Sequence, residues 1–383
     1  MLVSLIGTWI QAVAQSWLVF ELTDSALLLG VVGFLSAIPI FLLSLFGGVL
    51  ADRMNKRNIL IATQFAFMLL AFLLAVLTQM KLITPWQIML IAVLNGVCMA
   101  FDAPSRQAVV VELAGKKHLF NAIALNSVAF NSSRVIGPAL AGILVAYIGM
   151  SGCFYINGIS FLAVIIALFL IRIDSNVAAD KDKTALKDLK EGLIFIKNNR
   201  LVLALVTMVG IVSLFGVSYV ILMPIFANDI LKVGIKGLGL LMSASGFGAL
   251  LGALVLARLG DFKYKGKFLI VSSMVFSASL VLFSISKIYL LSLIALIFIG
   301  GASVAAIALI NTILQTDVPD AFRGRVMSVF MLTFAGIMPF GNLIAGSLAQ
   351  ALGVSFTVML GGIICAVFFS VINIAYPDIR NIE

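Results

Sequence analysis

Histidine occurs once in this chain of 383 residues, as His118, and cysteine only three times. A His-built metal site therefore cannot be assembled, and Cys98, Cys153 and Cys365 are spaced for neither a zinc framework nor a disulfide one. Each cysteine sits inside an apolar run and reads as a small buried hydrophobe. Charge is scarce as well, at 11% of residues against 62% hydrophobic, too little polar surface for a soluble protein. No phosphate-cradling GxxxxGK[ST] run occurs. Gly260–Lys267 has neither its spacing nor its hydroxyl, so ATP does not drive this chain directly. There is also no nucleophile elbow, His-Glu-x-x-His or cysteine pair, so the sequence points to no enzyme, cofactor or metal. Asn131-Ser132-Ser133 has a glycosylation pattern but lies within an apolar run, where it is a false match.

What is present is apolar sequence in runs of about twenty residues, the length that crosses a hydrocarbon core as helix. The runs lack the period-two alternation of a membrane β-barrel, so the expected class is an all-α membrane protein. Twelve spans are predicted at 1–20, 27–51, 58–80, 86–107, 121–148, 152–171, 201–227, 236–259, 267–286, 288–315, 325–351 and 353–376. The first starts at Met1 without a basic lead or a small-residue cleavage site, unlike a signal peptide. The reading is a first helix that starts late, without a short N-terminal tail.

Net charge is +9, but its placement argues against nucleic acid as the partner. Arg53, Lys56, Arg57, Arg106, Lys116, Lys117, Arg258, Lys263, Lys265, Lys267, Arg323, Arg325 and Arg380 fall on one side, with the cations of the central loop. Lys81, Lys232, Lys236 and Lys287 fall on the other. The positive-inside rule makes the first side, and both termini, cytoplasmic in an inner membrane. The hydrophilic stretch 173–200 then divides an N-terminal bundle (1–172) from a C-terminal one (201–383). Within it, Leu186, Leu189, Leu193 and Ile196 share one face of a helix over 184–198, with Lys187, Lys190 and Lys197 largely elsewhere. That amphipathic pattern suits an anionic membrane surface or an ordinary linker helix.

The halves resemble each other. GVLADRMNKR (48–57) after span 2 parallels ARLGDFKYKGK (257–267) after span 8, and IGPALAGILVAYIG (136–149) parallels FGNLIAGSLAQALG (340–353). Two six-helix halves related by an axis along the membrane normal are a carrier architecture.

These residues resemble the major facilitator superfamily, whose loop 2–3 signature is a glycine, Ala-Asp-Arg and a basic pair. Asn55 stands where glycine is common. FDAPSRQAVVVEL (101–113), NAIALNSVAFNSSRVIGPALAG (121–142), CFYINGISFLAV (153–164) and VPDAFRGRVMSV (318–329) resemble the branch of enterobactin exporters and macrolide efflux carriers. The resemblance covers nearly the whole chain. It implies export of a drug, siderophore or amphipathic metabolite, a direction that composition does not supply.

In the loop signature, Asp52 ends span 2, and helix starts favour carboxylates. Gly48, Asp52, Arg53, Lys56 and Arg57, with Asp261, Arg323 and Arg325, are the expected conformational latch. The alternative is that the cations only set topology. Arg134 lies about thirteen residues into span 5, near mid-depth, where a charge is costly and usually functional. Asp102 and Glu112 are its candidate partners, with Arg106 competing. Arg134 either faces substrate or joins a buried ion pair. Carboxylates within or beside spans are candidate proton carriers: Glu21, Asp24, Asp229, Asp317 and, preferred, Asp102. Gln11, Gln15, Asn95, Asn311, Gln315 and Asn342 either line a cavity or bond neighbouring helices. Trp9, Trp17, Phe34 and Phe41 supply aromatic walls or core. Gly137, Pro138, Ala141 and Gly142 resemble the span 5 antiporter motif of exporting relatives, with helix packing as the competing use.

The expected partners are a small-molecule substrate, protons and membrane lipid, for a monomer working by proton antiport. Divalent-metal export and lipid or lysolipid translocation by the same fold are the alternatives.

Overall fold

A computed structural model describes residues 2–171, 185–260 and 262–382. The helices are labelled α1 (Leu2–Thr23), α2 (Ala26–Arg53), α3 (Lys56–Gln79), α4 (Pro85–Gly115), α5 and α6 (121–148 and 150–170) and α7 (Ala185–Asn198). They continue with α8 (Arg200–Ile230), α9 (Gly234–Leu259), α10 (Lys265–Ile285), α11 (Tyr289–Asp317), α12 (Asp320–Leu352) and α13 (Val354–Ala375).

By length and composition, 11 helices among the described residues can cross a membrane, and one of them, Asn121–Leu170, has 50 residues. That helix is two spans. Gly149 has φ 72 and ψ 175, outside helical geometry. Gly137 abuts Ile6 and Trp9 of α1, and Asn157, twenty residues on, bonds Gln11 of the same helix. Twenty residues of straight helix would span about 30 Å, so the chain must reverse between them. The result is consistent with twelve spans.

Local chemistry explains the helix starts. The Ser25 side chain accepts from Leu28 N and opens α2. Asn55, where the loop signature favours glycine, caps α3 by accepting from Arg57 N at 3.0 Å and Asn58 N at 3.4 Å. Pro85 stands in the first turn of α4, and Gln87 Oε1 accepts from Thr84 N at 2.9 Å. Asn199 caps α8 through Val202 N at 3.1 Å. Each cap satisfies backbone donors that a helix cannot pair internally.

The chain divides into two compact units, Met1–Asp182 with Gly234–Ser243, and Lys183–Val233 with Ala244–Glu383. The first turns of α9, Gly234–Ser243, group with the N-terminal helices.

Within each unit the same solution recurs. Ser36 lies 16 residues before Asp52 (52 − 36), and Ser245 lies 16 before residue 261 (261 − 245). A Cβ on Gly96 of α4 would strike Ser36 O of α2, and one on Gly300 of α11 would strike Ser245 O of α9. Backbones that touch this closely favour small residues. Both lysines four residues past those carboxylates, Lys56 and Lys265, are buried at 8% and 9% exposure. Gly300→Val should therefore separate α9 from α11 and cost about 1–3 kcal/mol. Thermal unfolding in detergent checks this, and an unchanged midpoint would mean the contact is slack.

All three cysteines are free, with Cys153 and Cys365 buried and Cys98 half-buried. α7 is helical over Ala185–Asn198 and packs within the second unit. The predicted apolar face is split, because Ile196 is buried while Leu193 is exposed on the side of Lys190 and Lys197, and the side chain of Leu186 lies outside the described residues. Gly192 of α7 lies against the Arg325 backbone, Phe195 stacks on Phe322 at 4.7 Å, and Glu191 pairs with Arg325 at 3.0 Å.

Candidate functional site

A buried cluster of polar side chains lies between α3 and α4. On α3, Thr63 and Gln64 stand between Leu60 and Phe67; on α4, Asp102 and Ser105 stand between Cys98 and Val109. Leu60, Val109 and Leu168 form an apolar layer on one side, and Phe67, Ala71 and Phe161 form another, with Cys98 packed against it. Polar atoms held between such layers must find partners in each other.

Asp102, 1% exposed, accepts four hydrogen bonds. Thr63 Oγ1 and Gln64 Nε2 donate to Oδ1 at 2.9 and 2.7 Å. Arg106 Nε and Nη2 donate to Oδ2 at 2.9 and 2.8 Å. Asp102 is the sole buried carboxylate among the described residues. Gln64 Oε1 and Ser105 Oγ are buried there without partners among those residues. Thr63, Gln64 and Ser105 are not among the residues that the sequence marks out. The available signal is an adjacent polar pair inside span 3, one turn from apolar residues on both sides.

Toward the start of α3, Lys56 pairs with Glu112. Arg57 donates to Leu168 O at 2.7 Å and Phe169 O at 2.9 Å, closing the end of α6. Lys56 and Arg57, expected in the latch, thus bind inside their own unit. Arg323 pairs with Asp320 at 2.6 Å, and Arg325 with Glu191. A Cβ on Gly48 would meet nothing within 4 Å, so no close neighbour demands glycine at that place. The side chains of Asp52 and Arg53, and residue 261 altogether, lie outside what is described.

Arg134 is half-buried in α5 and pairs with neither expected carboxylate, because Asp102 is taken by Arg106 and Glu112 by Lys56. It makes no ion pair with any described residue. One turn further, a Cβ on Gly137 would collide with Trp9, and one on Gly142 would meet Ile235 O at 3.0 Å. Gly239 of α9 has no room for a Cβ beside Pro138 O, and Ser243 Oγ donates to Val135 O at 2.7 Å. Pro138 cannot donate into the α5 ladder, which favours a bend or local loosening there. The small face of Pro138 and Gly142 therefore seats the first turns of α9, while Ala141 is fully buried.

The uncharged candidates divide. Gln11 Oε1 accepts from Asn157 Nδ2 at 2.7 Å, tying α1 to α6. Asn95 bonds back to Ile91 O at 3.0 Å, and Gln315 donates to Asn311 at 2.8 Å on an exposed face of α11. Gln15 is half-buried and Asn342 buried. Glu21, Asp24, Asp229 and Asp317 are exposed.

α8 is irregular. π turns at Val212–Gly216 and Phe226–Ile230 flank a 3-10 stretch at Val217–Leu222. Pro224 removes one donor, and such departures often mark functional segments. A cleft against this segment is lined by Phe215, Ser218 and Tyr219 of α8, Ile344 of α12 and Val358 of α13. Tyr219 OH and Ser245 Oγ are 3.0 Å apart, and Ser213 Oγ is buried without a partner among the described residues.

Over residues 1–383 the chain matches the family described as transmembrane secretion effector. It is 28% identical to the staphyloferrin A transporter of Staphylococcus aureus, over 94% of this chain and 90% of that one. It is 24% identical to the enterobactin exporter of Shigella boydii, over 85% and 77%. A bacterial homologue of the lysosomal transporter Spinster superposes with TM-score 0.74 at 14% identity, covering 99% and 97%, which bears on the fold alone.

Proposed function

The chain belongs to the transmembrane secretion effector family of major facilitator carriers, and from that premise we propose that it exports a small molecule by alternating access in exchange for protons. The substrate class is a siderophore, drug or amphipathic metabolite. Relatives that transport a siderophore support this reading. So does the asymmetry of lysine and arginine between the predicted loops, which fits cytoplasmic termini.

The observation that carries proton exchange is Asp102. It is the carboxylate held inside the described structure, and its Oδ2 is shared with Arg106, whose side chain is 24% exposed. A proton on Asp102 removes the charge that holds the guanidinium and frees Arg106 to move. A return of the proton to the opposite compartment restores the pair. Both oxygens of the carboxylate already accept hydrogen bonds, so an arriving proton must displace a donor, and release of Arg106 from Oδ2 is the displacement that frees a charged group. That requirement is what would link proton binding to a conformational change.

Everted membrane vesicles test the proposal. An imposed proton gradient should drive substrate accumulation, a protonophore should collapse it, and ATP depletion with the gradient held should leave it. Equal accumulation without a gradient would leave facilitated diffusion instead.

A further inference from the structure

The structure assigns a second role to α7: its outward stripe is a docking surface for anionic phospholipid headgroups at the membrane face where α8 begins.

The stripe is Lys190, Leu193, Ile194 and Lys197, spaced i, i+3, i+4 and i+7, so all four share one side of the helix. All four are exposed, and Leu193 and Ile194 are each 51% exposed. The other side of α7 is already occupied. Gly192 and Ile196 are buried, the latter at 4% exposure, and Phe195 lies on Phe322. Apolar residues on the inner side are explained by that packing, while those on the outer side are not.

Three features identify the occupant. First, the exposed aliphatics stand between two lysines, and neither lysine pairs with a described carboxylate. Lysine stems lie along apolar surface while the ammonium reaches polar headgroups, so the arrangement fits an interface between hydrocarbon and water. Second, only Asn199 separates α7 from α8, a helix apolar enough to cross the membrane. The end of α7 is thereby held at the membrane boundary, with exposed Arg200 beside Lys197. Third, the stripe carries positive charge without a negative residue, which complements anionic lipid. Held by Glu191 and Gly192 on Arg325 at one side and lipid at the other, α7 would report the headgroup layer to the start of α12. This inference does not rest on export or on proton exchange.

A nitroxide at position 194 tests it in the full chain, using Ile194→Cys with the three native cysteines replaced by alanine. In nanodiscs containing phosphatidylglycerol the label should be reached by oxygen and shielded from a water-soluble nickel chelate. In phosphatidylcholine alone, or with Lys190→Gln and Lys197→Gln together, the oxygen-to-nickel ratio should fall on the order of tenfold, since each basic residue near an anionic surface contributes to the attraction. A label open to the nickel chelate in phosphatidylglycerol places the stripe in water. One closed to both reagents places it under protein, and an equal ratio in the two lipids removes the headgroup contact. Each of these results overturns the assignment. Should the cysteine-free background misfold, hydrogen exchange over residues 189–198 of the unmodified chain decides the matter: slower exchange in phosphatidylglycerol supports it, and equal exchange in both lipids overturns it.

Discussion

Asp102→Asn should abolish gradient-driven accumulation and at the same time weaken the fold. The carboxylate is 1% exposed and receives Thr63, Gln64 and Arg106. Removing its charge leaves Arg106 without its counter-ion, and breaking a buried pair from one side costs about 3–5 kcal/mol. Loss of transport alone would therefore be ambiguous. The double variant Asp102→Asn with Arg106→Gln separates the two effects, because it removes both charges and should recover most of the stability. If the double variant regains its unfolding midpoint but not proton-driven transport, the pair has a coupling role. If it regains both, the pair only holds α3 to α4, and protons are carried elsewhere.

Arg134→Ala should do the opposite to stability while also strongly lowering transport. A cation at mid-span costs about 2.5–3.5 kcal/mol on insertion scales, and this one has no ion-pair partner among the described residues to offset that. Its removal should leave the protein equally or more stable, with transport lowered at least about tenfold, a loss of about 1.4 kcal/mol or more in the rate-limiting barrier. Arg134→Lys keeps the charge and should retain part of the activity, although it loses the planar fork that binds anions through two bonds. Chromatographic monodispersity and the unfolding midpoint establish folding, and efflux establishes function. Normal efflux by the alanine variant would remove Arg134 from the transport path.

These two residues also show the limit of reading depth from a sequence. Both are recognisable there as charges inside apolar runs. Their partners are not separable on that basis, because Asp102, Glu112, Arg106 and Arg134 permit several pairings along neighbouring helices. Packing resolves them: Arg106 is one helical turn from Asp102 and takes it, and Lys56 takes Glu112 across the α3–α4 boundary. Gln11 is equally open in sequence between cavity and inter-helix use, and Asn157 at 2.7 Å decides for the second.

The spans, the membrane class and the repeat of motifs between the halves are legible in the sequence itself. The reason is that a hydrocarbon core requires about twenty apolar residues for each crossing and requires backbone groups to bond within the helix. That constraint is local and leaves its mark at every span. Tertiary structure alone decided which face of each helix is inward, and so which polar groups meet. It brought Thr63 and Gln64 to Asp102, Glu191 to Arg325, and the Pro138–Gly142 face to the first turns of α9. Such choices depend on side-chain contacts between segments far apart in the chain, where a rotation of one residue along the helix changes the partner by about 100°.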